Sequence, residues 1–151
     1  PHARLTIAGS GPQETALRQL VDDLGLQACV HFTARLDRDA MAALYRDADI
    51  MLNPSLADNM PNSVLESMAS GVPVVSTDVG GVPYMVQDGV TALLVPPAKP
   101  EAMAAACLRL LDDAGLWARL QQAGLAEVQR YTWGQVAPLL AGHYRQAIRA
   151  K

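Results

Sequence analysis

Short apolar runs alternate with stretches of helical periodicity along the first hundred residues, and this alternation restricts the fold more than any other feature of the chain. Arg4 to Ala8 (RLTIA) is a β-branched run ending at Gly9, and Gln13 to Leu24 then places Leu17, Leu20, Val21 and Leu24 on one helical face. Cys29 to Phe32 is strand-like, Ala40 to Tyr45 carries Met41, Leu44 and Tyr45 on one helical face, and Asp49 to Asn53 (DIMLN) is a short buried strand. Pro61 to Ser70 is predicted as a helix with proline at its first position and Gly71 as its stop. Val72 to Ser76 (VPVVS) follows as a strand, with Pro73 confined to its start. Ala92 to Val95 is the last strand, and Glu101 to Leu111, Leu116 to Val128 and Trp133 to Ile148 are helical.

Strands this short and apolar, separated by helices, form parallel βαβ units with helices on both faces of an open sheet. The expected architecture is therefore a Rossmann-like α/β fold, with residues 1–151 as a single domain. Sheets of this kind hold ligands outside the carboxyl ends of their strands. The chemistry is accordingly sought in the loops after Ala8, Phe32, Asn53 and Ser76.

Composition removes several functions. A formal net charge of −3 with 18% charged residues leaves no broad basic field for a nucleic-acid backbone, so no nucleic-acid partner is expected. Cys29 and Cys107 are too few for a disulfide framework and read as two buried thiols in a reducing cytoplasm. His2, His31 and His143 have no Cys or carboxylate cluster near them, so no metal is expected. No apolar stretch reaches a membrane span and no signal segment opens the chain, which points to the cytoplasm. The chain opens at Pro1 with a β-run following at once, as expected of a piece of something longer.

Gly9-Ser10-Gly11-Pro12 follows the first strand, where Gly9 and Gly11 let backbone approach a ligand at a helix N-terminus. A tight strand-to-helix turn explains the same residues. The loop after Asn53 is richer. Pro54-Ser55 closes the strand, Asp58-Asn59-Met60-Pro61 enters the helix, and Glu66 lies inside it, seven residues separating the two carboxylates. On that helix Asn62, Glu66 and Ser70 share a polar face, while Val64, Leu65 and Met68 face the core. The free N–H groups and partial positive charge of a helix start suit a phosphate, and carboxylates on either side can accept hydrogen bonds from sugar hydroxyls. By residue type alone, Asp58 reads sooner as a helix cap and Glu66 as a solvated helix residue than as ligand contacts.

The string from Asn53 to Pro97 resembles the donor-binding half of the retaining, B-type glycosyltransferases of family 4 (glycosyl transferases group 1). The residues that carry the resemblance are Pro54-Ser55, Asp58, Asn59-Met60-Pro61, Leu65-Glu66-Ser67-Met68-Ala69-Ser70-Gly71, Pro73-Val74-Val75 and Gly80-Gly81. It extends upstream through Gly9-Ser10-Gly11-Pro12 and Val30-His31-Phe32, and downstream through Asp88-Gly89 to the helix near Trp133.

The resemblance implies the C-terminal half of a two-domain enzyme that transfers a hexose from a UDP- or GDP-sugar to a glycan or lipid-linked acceptor. The nucleotide sugar is then the substrate, and no resident cofactor is expected. Asp58 would contact the donor sugar as the catalytic-site carboxylate, and Glu66 the ribose hydroxyls. Backbone N–H groups from Asn59 through Met60 and Pro61 to Asn62 would meet sugar hydroxyls or the β-phosphate, and the main chain of Ala34 and Arg35 the base. Asp58 replaces the usual Glu, Asn59 a Gly and Ala34 a Gly, and Tyr84 stands where the family often has a Glu.

The resemblance also implies an Arg/Lys pair for the diphosphate and an acceptor-binding N-terminal domain, both preceding this segment. Without them the segment alone should bind donor weakly and catalyse nothing. The stripe Trp133, Val136, Leu140, Tyr144 and Ile148 is core material by default; by the resemblance, part of it would face the N-terminal domain. Arg145, Arg149 and Lys151 also suit a peripheral membrane contact of the full-length enzyme at the inner face. An epimerase or a non-catalytic Rossmann-like interaction module fits the same architecture. The first would be expected to place His in the crevice, and the loop from Asn53 to Pro61 has none.

Overall fold

The computed structural model describes residues 3–149, so Pro1, His2, Ala150 and Lys151 lie outside the described residues. Two compact units are present, the first ending at Leu44 and the second beginning at Tyr45. The first contains β1 (Leu5–Ala8), α1 (Glu14–Asp23), β2 (Val30–Thr33) and most of α2 (Arg38–Arg46). β1 and β2 pair in parallel, with Leu5 opposite Val30 and Ala8 opposite Thr33. Arg18 of α1 lies 4.3 Å from the centroid of the Phe32 ring on β2. None of the described residues before Tyr45 is fully buried.

The second unit contains β3 (Met51–Asn53), α3 (Asn62–Ala69), β4 (Val74–Thr77), α4 (Val82–Met85), β5 (Leu93–Val95), α5 (Pro100–Asp112), α6 (Ala114–Val128) and α7 (Trp133–Arg149). Its three strands run parallel in the order β3-β4-β5. The class is parallel α/β, and the strands fall into one two-stranded and one three-stranded sheet.

Side chains alternate across a strand, and β4 shows the consequence. Val74 joins Val64, Met68, Val82, Met85 and Val128 in one buried cluster, whereas Val75 joins Leu93, Val95, Leu110, Leu116 and Leu120 in another. Helices α3 and α4 thus cover one face, α5 the other, and α6 contributes to both clusters. β4 is buried along its whole length. Trp117 of α6 donates its indole N–H to the Asp49 carbonyl at 2.7 Å.

α3 stops as the sequence requires. Gly71 takes φ +74°, its N–H reaches the Met68 carbonyl, and the Val72 N–H reaches the Ser67 carbonyl, which together satisfy the last turn. Its start differs from the expectation. Pro61 is the cap residue, extended at φ −66° and ψ 114°, and Asn62 opens the helix. Pro73 likewise precedes β4, which runs on to Thr77. The single turn α4 is too short to show helical periodicity in sequence.

Two further expectations are corrected. The α7 stripe is not core: Trp133 is 72% exposed, Leu140, Tyr144 and Ile148 are exposed, and Val136 is half-buried. A periodic apolar face specifies a helix, not what covers it. Cys29 and Cys107 are free but only half-buried.

Leu120 has almost no exposed surface in the α5/α6 cluster, whereas Leu108 on α5 faces water. Leu120→Ala is expected to cost about 2–5 kcal/mol, and Leu108→Ala less than about 0.5 kcal/mol. Urea unfolding should show the first midpoint falling at constant slope; equal midpoints for the two variants would overturn the packing described.

Candidate functional site

The carboxyl ends of β3 and β4 end in polar residues rather than apolar ones. Asn53 is buried and donates its side-chain N–H to Ser76 Oγ at 3.1 Å. Ser55 Oγ lies 2.8 Å from Asn53 Oδ1 and 3.3 Å from Asp58 Oδ2, so its single hydrogen favours the amide. The Thr77 hydroxyl donates to the Ser55 carbonyl at 2.6 Å. Among the described residues no buried side-chain nitrogen or oxygen lacks a partner, so this network is complete. It fixes the strand-to-loop corner from which Asp58 projects.

The loop is held from its other side by Gly80 and Gly81. Gly81 N–H donates to the Asp58 carbonyl at 3.0 Å. A Cβ on Gly80 would overlap the Asp58 carbonyl oxygen, and one on Gly81 the carbonyl oxygen of Asn59. Gly80 also sits at φ +53°, a region that side chains disfavour. Between the two loops opens a cavity of about 560 Å³ lined by Leu56, Ala57, Asp58, Asn59, Gly80, Gly81 and Tyr84.

Of the residues singled out in sequence, Asp58 and Asn59 therefore share one cavity. Met60 and Asn62 are exposed, Pro61 is buried, and none of the three is among its lining residues. Pro61 has no N–H, so the amide donors of that stretch are Asn59, Met60 and Asn62. Pro61 offers no side-chain cap; the Val64 N–H is taken by the Pro61 carbonyl at 3.1 Å, which leaves the N–H groups of Asn62 and Ser63 as the open donors at the start of α3. Glu66 is exposed one turn into α3, on the same face as Asn62 and Ser70 as expected, but it stands outside the cavity. In the first unit, Gly9 takes φ +120° after β1, a Cβ on Gly9 or Gly11 would meet open space, and Ala34 and Arg35 follow β2 at its carboxyl end.

Sequence reasoning missed Tyr45, which stands against Glu66. Tyr45 is only 7% exposed, and its hydroxyl lies 3.4 Å from Glu66 Oε2 and 3.4 Å from the Ser63 carbonyl. One hydrogen serves both acceptors. Burial first, then repulsion and hydrogen bonding by the Glu66 carboxylate, push the Tyr45 phenol up to about 12 from 10.0. The available signal was a tyrosine, which needs a hydrogen-bond partner when buried, on the apolar face of α2. Asn53, Ser76 and Thr77 were readable as polar ends of apolar strands, but their connection was not.

Among the described residues no three His, Cys, Asp or Glu side chains are grouped to hold a metal ion, and no helix is long and apolar enough to cross a membrane.

Comparison with known proteins identifies the family and the fold. Residues 1–113 match the family model of glycosyl transferases group 1. The chain is 34% identical over 149 residues to the D-inositol 3-phosphate glycosyltransferase of Corynebacterium glutamicum, an alignment covering 96% of this chain and 36% of that protein. It thus spans little more than a third of that relative's length. Sucrose-phosphate synthase from Thermosynechococcus elongatus superposes with a TM-score of 0.87 at 31% identity, over 98% of this chain and 39% of the other. Anabaena HepE in complex with UDP-glucose superposes at 0.88 and 22% identity, over 97% and 42%, a likeness of fold alone.

Two outcomes test the site. Gly81→Ala should destabilise by about 3 kcal/mol, because backbone must move. Gly89→Ala, at φ +71° but facing open space, should cost about 1 kcal/mol; equal losses in thermal unfolding would contradict the close approach of Gly81, whose own φ of −86° carries no strain. Because the folded-state pKa of Tyr45 is raised, its contribution is whole below about pH 10 and is lost as pH climbs to about 12. Wild type should lose stability relative to Tyr45→Phe across that interval, and parallel pH profiles would contradict the contact.

Proposed function

The chain belongs to the glycosyl transferases of group 1, and we propose that it is the nucleotide-sugar-binding half of a retaining enzyme of that family. The donor is a UDP- or GDP-hexose, bound as substrate with no resident cofactor. The acceptor, a glycan or a lipid-linked sugar, is held by an N-terminal domain, and the whole enzyme works in the cytoplasm or at the inner face of its membrane. One observation carries the proposal. A carboxylate, Asp58, is fixed at the carboxyl edge of a parallel sheet, ahead of a helix whose N-terminus has no side-chain cap, with a second carboxylate, Glu66, one turn into that helix.

The chemistry follows from those parts. Unpaired N–H groups at the start of α3 receive the β-phosphate, where the helix dipole favours negative charge. Asp58 accepts hydrogen bonds from hydroxyls of the hexose, and Glu66 from those of the ribose. Tyr45 holds the Glu66 carboxylate from its buried side. Gly9, Gly11, Ala34 and Arg35 are proposed as further donor contacts of the first unit, taken by itself. Transfer proceeds on one face of the sugar, with the departing diphosphate helping to deprotonate the acceptor hydroxyl, so no protein nucleophile is required and Asp58 orients the donor.

The cavity lining contains no cation, and a departing diphosphate needs positive partners. We assign these to the Arg/Lys pair outside this chain, so the chain alone binds nucleotide weakly and does not turn over.

UDP or GDP should bind measurably in calorimetry, and Glu66→Gln should weaken that binding about tenfold, the equivalent of one charged hydrogen bond. Thermal stability should hardly change, since Glu66 is exposed. Unchanged affinity in the variant would remove the ribose assignment. Absence of binding by both nucleotides would remove the donor reading and favour an interaction module.

A further inference from the structure

The rim of the Asp58 cavity carries a side chain that the donor chemistry above leaves unused. Tyr84 is 89% exposed, more than any other exposed large hydrophobic side chain among the described residues, yet it lines the same cavity as Asp58. Its position is firmly held. The Tyr84 N–H donates to the Gly81 carbonyl at 3.1 Å, and the Gly81 N–H donates to the Asp58 carbonyl at 3.0 Å. Two hydrogen bonds therefore link the backbone of the aromatic residue to that of the carboxylate residue. Val82 and Met85 on either side are buried in the core, so the α4 turn cannot roll the ring inward without extracting them.

Large exposed apolar side chains gathered around a carboxylate in an open depression mark a place of contact. The chemistry of this cavity narrows the ligand. An aromatic face packs against C–H groups, Asp58 supplies acceptor oxygens for hydroxyl donors, and no cation is present in the lining to attract an anion. Leu56, 72% exposed on the same cavity, widens the apolar side. A pyranose ring matches this pairing, having one face of C–H groups and a rim of hydroxyls.

We infer that Tyr84 is the stacking platform of a sugar subsite, its ring against the apolar face of a pyranose whose hydroxyls Asp58 receives. This rests on the reading of Asp58 as a sugar contact, and it adds the residue that discriminates a sugar from the bare nucleotide. The pyranose is either the donor's hexose or a sugar of the acceptor, and the test separates the two.

The 151-residue chain, Tyr84→Phe and Tyr84→Ala are titrated with UDP, UDP-glucose and maltose, following affinity and the NMR shifts of the sugar C–H protons. Stacking should move those protons upfield in wild type and Tyr84→Phe, and Tyr84→Ala should abolish the shift while weakening sugar binding about three- to tenfold. UDP affinity should be the same in all three proteins. A loss confined to UDP-glucose places the donor hexose on the ring, and a loss confined to maltose places an acceptor sugar there. Maltose binding that depends on Tyr84 without any UDP binding would uphold the platform and sink the donor reading. If Tyr84→Ala changes neither sugar's affinity nor its proton shifts, the platform is overturned, whatever UDP does.

Discussion

The carbonyl oxygens of Asp58 and Asn59 occupy the space where side chains at positions 80 and 81 would stand, and the candidate site depends on that close approach. Two glycines in succession permit it. The loop after β3 and the turn after β4 then touch through backbone alone, and the Gly81 N–H seals them with a hydrogen bond to Asp58. A carboxylate on a free loop would sample many directions. Here its backbone is pinned by the glycine turn, and its carboxylate stands 3.3 Å from a Ser55 hydroxyl that the Asn53 amide holds in place. Side-chain orientation thus begins with missing side chains.

The same edge of the sheet explains why polar residues gather there. β4 is buried on both faces, so Val74 and Val75 serve two different clusters and neither position tolerates a polar group without a partner. Polar side chains are admitted where they can satisfy one another, at Asn53, Ser76 and Thr77. Rigid strands end in a satisfied network, and the network ends in a loop that faces the cavity. Precision at the loop derives from hydrophobic packing on both sides of the sheet.

Tyr45 illustrates a second kind of dependence. Its ring is held by burial, and its hydroxyl has little choice but to face the Ser63 carbonyl and Glu66. The carboxylate on α3 thereby meets a donor fixed from α2, whereas residues exposed beside it, such as Asn62 and Ser70, have no comparable support across the elements.

Much of the fold was legible because its signals are local. The run DIMLN followed by Pro54-Ser55, the helix ended by Gly71, and the alternation of strand and helix each need only neighbouring residues to be read. The placement of Asn62, Glu66 and Ser70 on one face of α3 follows from helix geometry alone. Pro61 was misplaced by one position because proline suits both the cap and the first turn, and only the chain's path decides between them. The α7 stripe looked like core because periodicity records an apolar face without recording its cover. The Tyr45–Glu66 contact, the Ser55–Asp58 approach and the close passage of Gly80-Gly81 join residues between three and twenty-three positions apart, and no local pattern specifies them. Sequence by itself determined which segments would be strands, where every helix but the single turn α4 would run, and at which sheet edge polar residues would collect. Tertiary packing alone decided which side chains meet there, because distances across a turn depend on how the buried faces on either side of it fit together.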